Sequence, residues 1–286
     1  MKKHNFFTAF AVVLMTVWSC QKGDTSETQL SDLSLSESVA VVASIDEVEG
    51  LIDENIFYAD SFLDFSETTG KGGHHDRSGF FANCTTFEIA TVDNTVTITI
   101  GFEESCTDRD GNNLSGTIIL VRTKETGNYD ASITFTDLTV NGYVINGTKT
   151  YTKIAENNNG NPEVSGSVDI SVTTDAGVIT KTGSRTLEVT VGSDTDTYLD
   201  DEITITGSST YTSADGIVIH TEITPSLVKP AGCKYIAQGT KQFTNDGAVS
   251  VLDYGDGTCD NSATLTAPDG TVTEIELRRG RHHHHD

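Results

Sequence analysis

The segment Val251–Asn261, VLDYGDGTCDN, concentrates residue types that could do chemistry. Asp253, Asp256, Asp260 and Asn261 carry the hard oxygen atoms that Ca²⁺ takes as ligands. Their spacing does not follow the twelve-residue helix–loop–helix calcium pattern, and aspartate or asparagine beside glycine is also what a tight turn requires. The segment therefore favours a turn, with a calcium site built from these four residues as the alternative.

Cys259 in this segment belongs to a set of four cysteines that the sequence arranges in two similar units. Each unit runs from a cysteine through a strand, a turn and a second apolar strand ending in glycine to another cysteine. An even number of cysteines in an exported chain indicates disulfides, and four cysteines allow three pairings. The repeated unit favours Cys84–Cys106 and Cys233–Cys259. With no CxxC motif, a redox or zinc-ribbon site has little support.

Known catalytic motifs are missing from the sequence. It contains no Gly-x-Ser-x-Gly elbow, no His-Glu-x-x-His pair, no phosphate-binding loop and no dinucleotide fingerprint. His220 lies in a strand-like pattern, and the pairs and runs at 74–75 and 282–285 could bind transition metals only weakly. We therefore expect a protein that is not an enzyme and has no cofactor apart from the calcium alternative. A hydrolase with carboxylates in a sheet cleft is the least favoured alternative.

The amino terminus has the three parts of an export signal. Lys2 and Lys3 precede an apolar stretch, Phe6–Trp18, which is shorter than the roughly 20 residues that span a bilayer. The following Ser19-Cys20 completes a sequence similar to a lipobox, in which Cys20 would receive the lipid and attach the protein to the membrane. The alternative is an ordinary secretory signal in which Cys20 is incidental. Residues 1–19 are accordingly predicted to be a signal peptide.

The charge of the chain restricts its partners. The formal net charge is −24, and it becomes −26 without residues 1–19, which carry two of the 18 Lys and Arg and none of the 42 Asp and Glu. Such a chain repels nucleic acid and anionic lipid headgroups, so neither is expected as a partner.

After the signal, the predicted order is tether, helix, loop and then strands. Residues 20–36 are polar and acidic and predict a flexible tether. Residues 37–79 contain an amphipathic helix, with apolar residues every three or four positions up to about Tyr58, and then a Gly/His-rich loop. Residues 80–277 predict an antiparallel β domain, and 278–286 form a basic, His-rich tail that we interpret as native rather than as an expression tag.

The β domain shows a period of two with about thirteen strands, separated by Asn-Gly and Asp-Gly dipeptides that favour hairpins. We predict an all-β fold, an antiparallel twisted sheet that folds into a sandwich or open barrel. The pattern Gly-[Ser/Thr]-x-x-apolar recurs six times and indicates bends or close approaches between strands. Its glycines are Gly116, Gly147, Gly166, Gly183, Gly207 and Gly239.

Together, these features resemble a group of lipoproteins of Bacteroidota, of the Flavobacterium type. The resemblance rests on the lipobox, the acidic linker, the Cys84…Gly101…Cys106 unit, the hairpin at 141–148 and the segment 253–261. It implies an outer-membrane lipoprotein facing the cell surface or the periplasm, and it implies no activity. We therefore expect a lipid-anchored exported protein with a non-catalytic structural or interaction role and an envelope or extracellular partner. The alternative is a surface module that binds a glycan or a divalent cation.

Overall fold

The computed structural model describes residues 84–107, 111–123, 125, 127–175, 177–195 and 200–277, together with four residues nearer the amino terminus. Those four, Val39, Val42, Ile45 and Asp46, are helical, and the three apolar ones are buried. The signal peptide, Cys20, the tether, the tail and the rest of the predicted helix-and-loop segment lie outside the described residues. The described residues contain no helix with the length and apolar character to cross a membrane.

The described part of the chain is nearly all β, with fourteen strands in one antiparallel sheet. The general prediction of an all-β antiparallel fold is thereby confirmed. The strands are β1 (Thr85–Val92), β2 (Thr95–Thr107), β3 (Asn113–Thr123), β4 (Tyr129–Val140), β5 (Tyr143–Ile154), β6 (Glu163–Thr174), β7 (Gly177–Val191), β8 (Glu202–Ser213), β9 (Val218–Ile223), β10 (Leu227–Pro230), β11 (Gln238–Asn245), β12 (Ala248–Asp256), β13 (Ser262–Thr266) and β14 (Val272–Glu276).

Strand order follows chain order across the whole sheet, with one exception. Both β9 and β10 pair with β8 on one side and with β11 on the other, so they occupy one position in the sheet. The cis peptide bond Thr224–Pro225 lies between them, and proline cannot donate the ladder hydrogen bond there. The fourteen strands compare with the count of about thirteen that the sequence pattern predicts.

Alternation along the strands gives the sheet two unlike faces. On β4, for example, Ala131, Ile133 and Phe135 are buried, whereas the residues between them are exposed. We call the face with the buried apolar side chains the inner face, and the opposite one the outer face. The helical residues Val39, Val42 and Ile45 belong to the same apolar core as the inner face.

All six motif glycines lie where the main chain of a neighbouring strand leaves no room for a Cβ atom. Gly147 shows the geometry best, because its φ is 128° and a Cβ atom would lie 2.7 Å from Cα of Ile170 on β6. At Gly116 and Gly239 the strand register also shifts, as it does at a β-bulge. The repeated motif therefore marks close approaches between strands, as the sequence predicts.

Two disulfides close the units that the cysteine spacing predicts. Cys84 is joined to Cys106 with a Cα–Cα distance of 5.4 Å, and Cys233 to Cys259 with 5.6 Å. The first fastens the start of β1 to β2, and the second fastens the β10–β11 connection to the turn after β12. Each disulfide that closes a loop of this length stabilises the folded protein by roughly 3 kcal/mol, because it restricts the conformations of the unfolded chain.

Candidate functional site

Positive charge is distributed unevenly between the two faces of the sheet. The described strands carry seven Lys and Arg residues, and every one lies in phase with the buried apolar residues of the inner face. They are Arg122, Lys149, Lys153, Lys181, Arg185, Lys229 and Lys241. Cations are normally exposed unless they are paired. Arg122, Lys181 and Lys241 are buried, so the inner face must contain partners for these three.

Asp46 is such a partner, and it comes from the N-terminal helical residues. Its side chain lies against Lys181 on β7, Tyr211 on β8 and Lys241 on β11. Helical spacing explains this position, because Asp46 follows Val39 and Val42 by seven and four residues and so shares their buried face. The alternation of the three strands directs the two lysines and the tyrosine inward to meet it. We call Asp46, Lys181, Tyr211 and Lys241 the buried cluster.

The hydrogen bonds of the buried cluster divide between the two carboxylate oxygens. Nζ of Lys181 donates to Oδ1 of Asp46 at 2.7 Å, and the hydroxyl of Tyr211 donates to the same oxygen. Nζ of Lys241 donates to Oδ2. Lys181 is 1 % exposed, Tyr211 0 % and Lys241 4 %. The carboxylate is therefore held by three donors in a site that water hardly reaches.

Aromatic rings cover the two ammonium groups. The ring centroid of Tyr211 lies 5.2 Å from Nζ of Lys181 and 5.9 Å from Nζ of Lys241, and the ring of Phe243 lies 5.5 Å from Nζ of Lys241. These contacts are within cation–π range. The rings also take the place of the water molecules that would surround the ammonium group of an exposed lysine.

Burial lowers the pKa of Lys241 from the usual 10.5 to about 8. Asp46 opposes this effect by raising the pKa, while the neighbouring Lys181 and Arg185 lower it further. A lysine with such a pKa has an appreciable neutral fraction near neutral pH, and a neutral amine is a nucleophile or a base. The buried cluster thus combines an activated amine, a carboxyl group and two donors to one carboxyl oxygen.

None of the sequence motifs predicts the buried cluster. The signal that could have revealed it is the position of the two lysines in their strands. Lys181 is two residues from Ile179 and Lys241 is two residues from Phe243, so each lysine is on the same inward face as a buried apolar residue. Asp46 on the apolar side of the helical pattern is the corresponding signal. Pairing these three residues still requires the tertiary fold, because they are separated by 135 and 195 residues.

The residues predicted for a calcium site are mainly engaged in turns. One carboxylate oxygen of Asp253 accepts from N of Gly255 at 2.9 Å, and one of Asp260 accepts from N of Ser262 at 2.9 Å. Asp256 accepts from N and Oγ1 of Thr258, and these bonds lower its pKa.

The fourth of these residues, Asn261, donates to Oε1 of Glu276 on β14 at 3.0 Å. Within the described residues, no three His, Cys, Asp or Glu side chains converge in a way that could hold a metal. The structure shows the turn chemistry, and calcium binding stays a prediction.

Tyr143, Tyr151 and Tyr211 do not form an exposed row on one face of the sheet, an arrangement that would favour glycan binding. Tyr211 is fully buried in the cluster, and Tyr143 and Tyr151 are half-buried against the core. His220 lies exposed on the outer face, with Nδ1 3.0 Å from Oγ1 of Thr210, so it behaves as a surface residue. The feature that would favour sugar stacking is therefore not formed by the three tyrosines Tyr143, Tyr151 and Tyr211.

A shallow groove of about 650 Å³ crosses β3–β6 on the outer side of the sheet. Most of its polar lining consists of hydroxyls, and Arg122, Tyr151 and the carboxylate of Asp130 also line it. The hydroxyls belong to Thr95, Thr123, Ser132, Thr150, Thr152, Ser165 and Ser167. Oγ1 of Thr152 donates to Asp130 at 2.6 Å, so the carboxylate is already hydrogen-bonded. Asp201, whose pKa is raised first by burial and then by Asp200, does not line it. The lining of the groove is mainly hydroxyls and contains no pair of carboxylates for hydrolysis.

Comparisons with known proteins add no further information on this site. No family model, no curated protein and no solved structure matches the chain.

Proposed function

We propose that this protein is a lipid-anchored, exported protein of the outer membrane with a non-catalytic structural or interaction role. In this proposal Cys20 carries the lipid and residues 20–36 form the tether. The sheet folds as a sandwich or open barrel with its acidic outer face towards the solvent. The two disulfides support an oxidising compartment outside the cytoplasm. The resemblance to Bacteroidota lipoproteins supports the same location.

The observation that supports an interaction role is the separation of charge between the two faces of the sheet. The outer face holds carboxylates such as Asp130, Asp169 and Glu222, all exposed, whereas the seven strand cations lie on the inner face. A face with carboxylates and hydroxyls and without strand cations favours a cationic partner and repels anionic ones. The partner class is therefore a basic surface of an envelope or extracellular component.

The anchor is tested by metabolic labelling with palmitate. We expect the wild-type protein to incorporate label and the Cys20→Ala variant to incorporate none, because Cys20 is the cysteine of the lipobox-like sequence. Cys84→Ala together with Cys106→Ala is the matched control, since it removes cysteines that the fold pairs with each other. Equal labelling of wild type and Cys20→Ala would refute the anchor.

The acidic outer face is tested with the unlipidated Cys20→Ala protein, so that retention reports protein contacts alone. We expect it to sediment with an envelope fraction at low salt and to be released as salt screens the charges. Asp130→Asn, Asp169→Asn and Glu222→Gln together should reduce the retained fraction several-fold. The control makes the same charge change at three hairpin turns, with Asp93, Asp246 and Asp269 replaced by Asn. If both triple variants sediment like the parent, the outer face has no interaction role.

The alternative of a glycan-binding module has one observation in its favour, the hydroxyl-lined groove on β3–β6. The hydroxyls and Asp130 can form hydrogen bonds with a neutral sugar. The aromatic residue of the lining, Tyr151, is half-buried and packs edge-on against the ring of Tyr129, so it does not present an open face for stacking. The interaction role with a basic partner is therefore preferred.

A further inference from the structure

Asp46 and Lys241 are 195 residues apart in the chain and in contact in the fold. Both belong to the buried cluster, where Lys241 is 4 % exposed and the side chain of Asp46 is 10 % exposed. Enclosure removes the water that would solvate an ammonium and a carboxylate and would compete in a reaction between them. An amine and a carboxyl group are thus held together in a nearly dry site.

Lys241 has the surroundings of a nucleophilic lysine. Its pKa is lowered to about 8 by burial, with Lys181 and Arg185 acting in the same direction against Asp46. Desolvation and a neighbouring cation are the two devices that activate a lysine amine in proteins. The rings of Tyr211 and Phe243 lie over its Nζ and keep that environment apolar.

Asp46 has the surroundings of an activated carboxyl group. Oδ1 receives hydrogen bonds from Lys181 and Tyr211, and Oδ2 faces Lys241. When a nucleophile adds to Cγ, negative charge develops on one oxygen, and donors already aimed at that oxygen stabilise it. Lys181 and Tyr211 are the donors to Oδ1, and Oδ2, on the side of Lys241, is the oxygen that would leave.

We propose that Asp46 and Lys241 condense to an intramolecular amide bond that ties the N-terminal helical residues to β11. Within the ion pair, the ammonium of Lys241 first transfers a proton to Oδ2. The neutral Nζ then attacks Cγ, and the charge that develops on Oδ1 is held by Lys181 and Tyr211. The Nζ–Cγ bond forms, the Cγ–Oδ2 bond breaks, and Oδ2 leaves as water with the carboxyl proton and one amine proton.

The reaction needs no external reagent, since one carboxyl group and one amine give one amide and one water. Because the fold holds the amine and the carboxyl group in contact, their effective concentration is far higher than that of the same two groups free in solution. The bond would also remove the ion pair from the core and leave a neutral amide beside Lys181. The N-terminal helical residues would then be fastened to the sheet whether or not Cys20 carries lipid.

The test is mass spectrometry of the full exported protein after reduction, with Lys241→Arg as the reference. Arginine retains the positive charge but is not expected to form the amide. We expect the wild type to be lighter by one water than its composition requires and Lys241→Arg to have its full mass. A branched peptide that joins Asp46 to Lys241 should appear only in the wild-type digest, and the reduced wild type should migrate faster in denaturing electrophoresis.

Lys181→Met and Tyr211→Phe each remove one of the two hydrogen-bond donors to Oδ1 of Asp46, and both reacting groups remain in place. We expect both variants to fold, as judged by circular dichroism, and to contain a several-fold smaller fraction of the branched peptide. If the wild type has the full mass of its composition, the cluster is an ion pair only and the proposal is overturned. A water deficit that persists in Lys241→Arg, or a branch at Lys181, would overturn the assignment to Lys241.

Discussion

Asp46→Ala will lower the free energy of unfolding of this protein by about 3–5 kcal/mol. This figure refers to protein in which Asp46 and Lys241 are an ion pair and not yet an amide. The substitution then leaves the buried amines of Lys181 and Lys241 close together without the carboxylate to which they and Tyr211 donate. The measurement is urea unfolding at pH 7, followed by circular dichroism. Asp169→Ala is the matched control, because Asp169 is exposed on the outer face and its loss should change the free energy by no more than about 0.5 kcal/mol.

Removing the charges together should reverse most of this loss. In Asp46→Leu with Lys181→Met and Lys241→Met, no ionisable group of the cluster except Tyr211 remains, and apolar replacements of a buried ion network are often neutral or stabilising. We expect the triple variant to be at least about 2 kcal/mol more stable than Asp46→Ala. If Asp46→Ala and Asp169→Ala unfold at the same urea concentration, the cluster does not stabilise the fold.

The loss in Asp46→Ala should also shrink as the pH rises. In wild type with the ion-paired cluster, burial lowers the pKa of Lys241 to about 8, and the substitution removes the carboxylate that raises this pKa. The unfolded lysine, with its usual value of 10.5, binds more protons than the folded one between those limits. Wild-type stability therefore increases with pH from about 8 towards 10.5, whereas the stability of Asp46→Ala begins to increase at a lower pH, so the difference between the two shrinks as the pH approaches 8. The triple variant lacks both lysines and should show a smaller pH dependence.

Gly147→Ala will cost about 3–5 kcal/mol in unfolding free energy, since two separate effects add at this position. The φ of 128° is unfavourable for any residue with a Cβ atom, and that atom would lie 2.7 Å from Cα of Ile170 on β6. The main chain of β6 cannot move away without breaking its ladder with β5. Urea unfolding again provides the measurement.

Three further glycines separate the two effects. Gly166→Ala tests the contact alone, because a Cβ atom would lie 2.9 Å from Cα of Tyr151 while φ is not positive. Gly142→Ala tests the φ of 92° alone, with no atom within 4 Å. Gly232→Ala has neither problem and should be neutral or slightly stabilising. We expect Gly147→Ala to exceed each of the others, and a cost similar to that of Gly232→Ala would refute the close approach.

The local features of this fold were predictable from the sequence because they depend on neighbours in the chain. Alternation of apolar and polar residues follows from the two faces of a strand, and Asp-Gly or Asn-Gly dipeptides close hairpins between adjacent strands. Cys84 and Cys106 bracket such a hairpin, so their pairing follows from the same local pattern.

The sequence by itself determined an antiparallel β protein with two stapled hairpins, glycines at close strand approaches and aspartates that cap turns at 253–260. Only the tertiary structure decided that the strand cations lie on the inner face and that Asp46 reaches Lys181, Tyr211 and Lys241. The physical reason is the range of the interactions. Strand periodicity acts over two residues, whereas the buried cluster joins a helical residue to three strands up to 195 residues away, and only packing of the whole core brings them together.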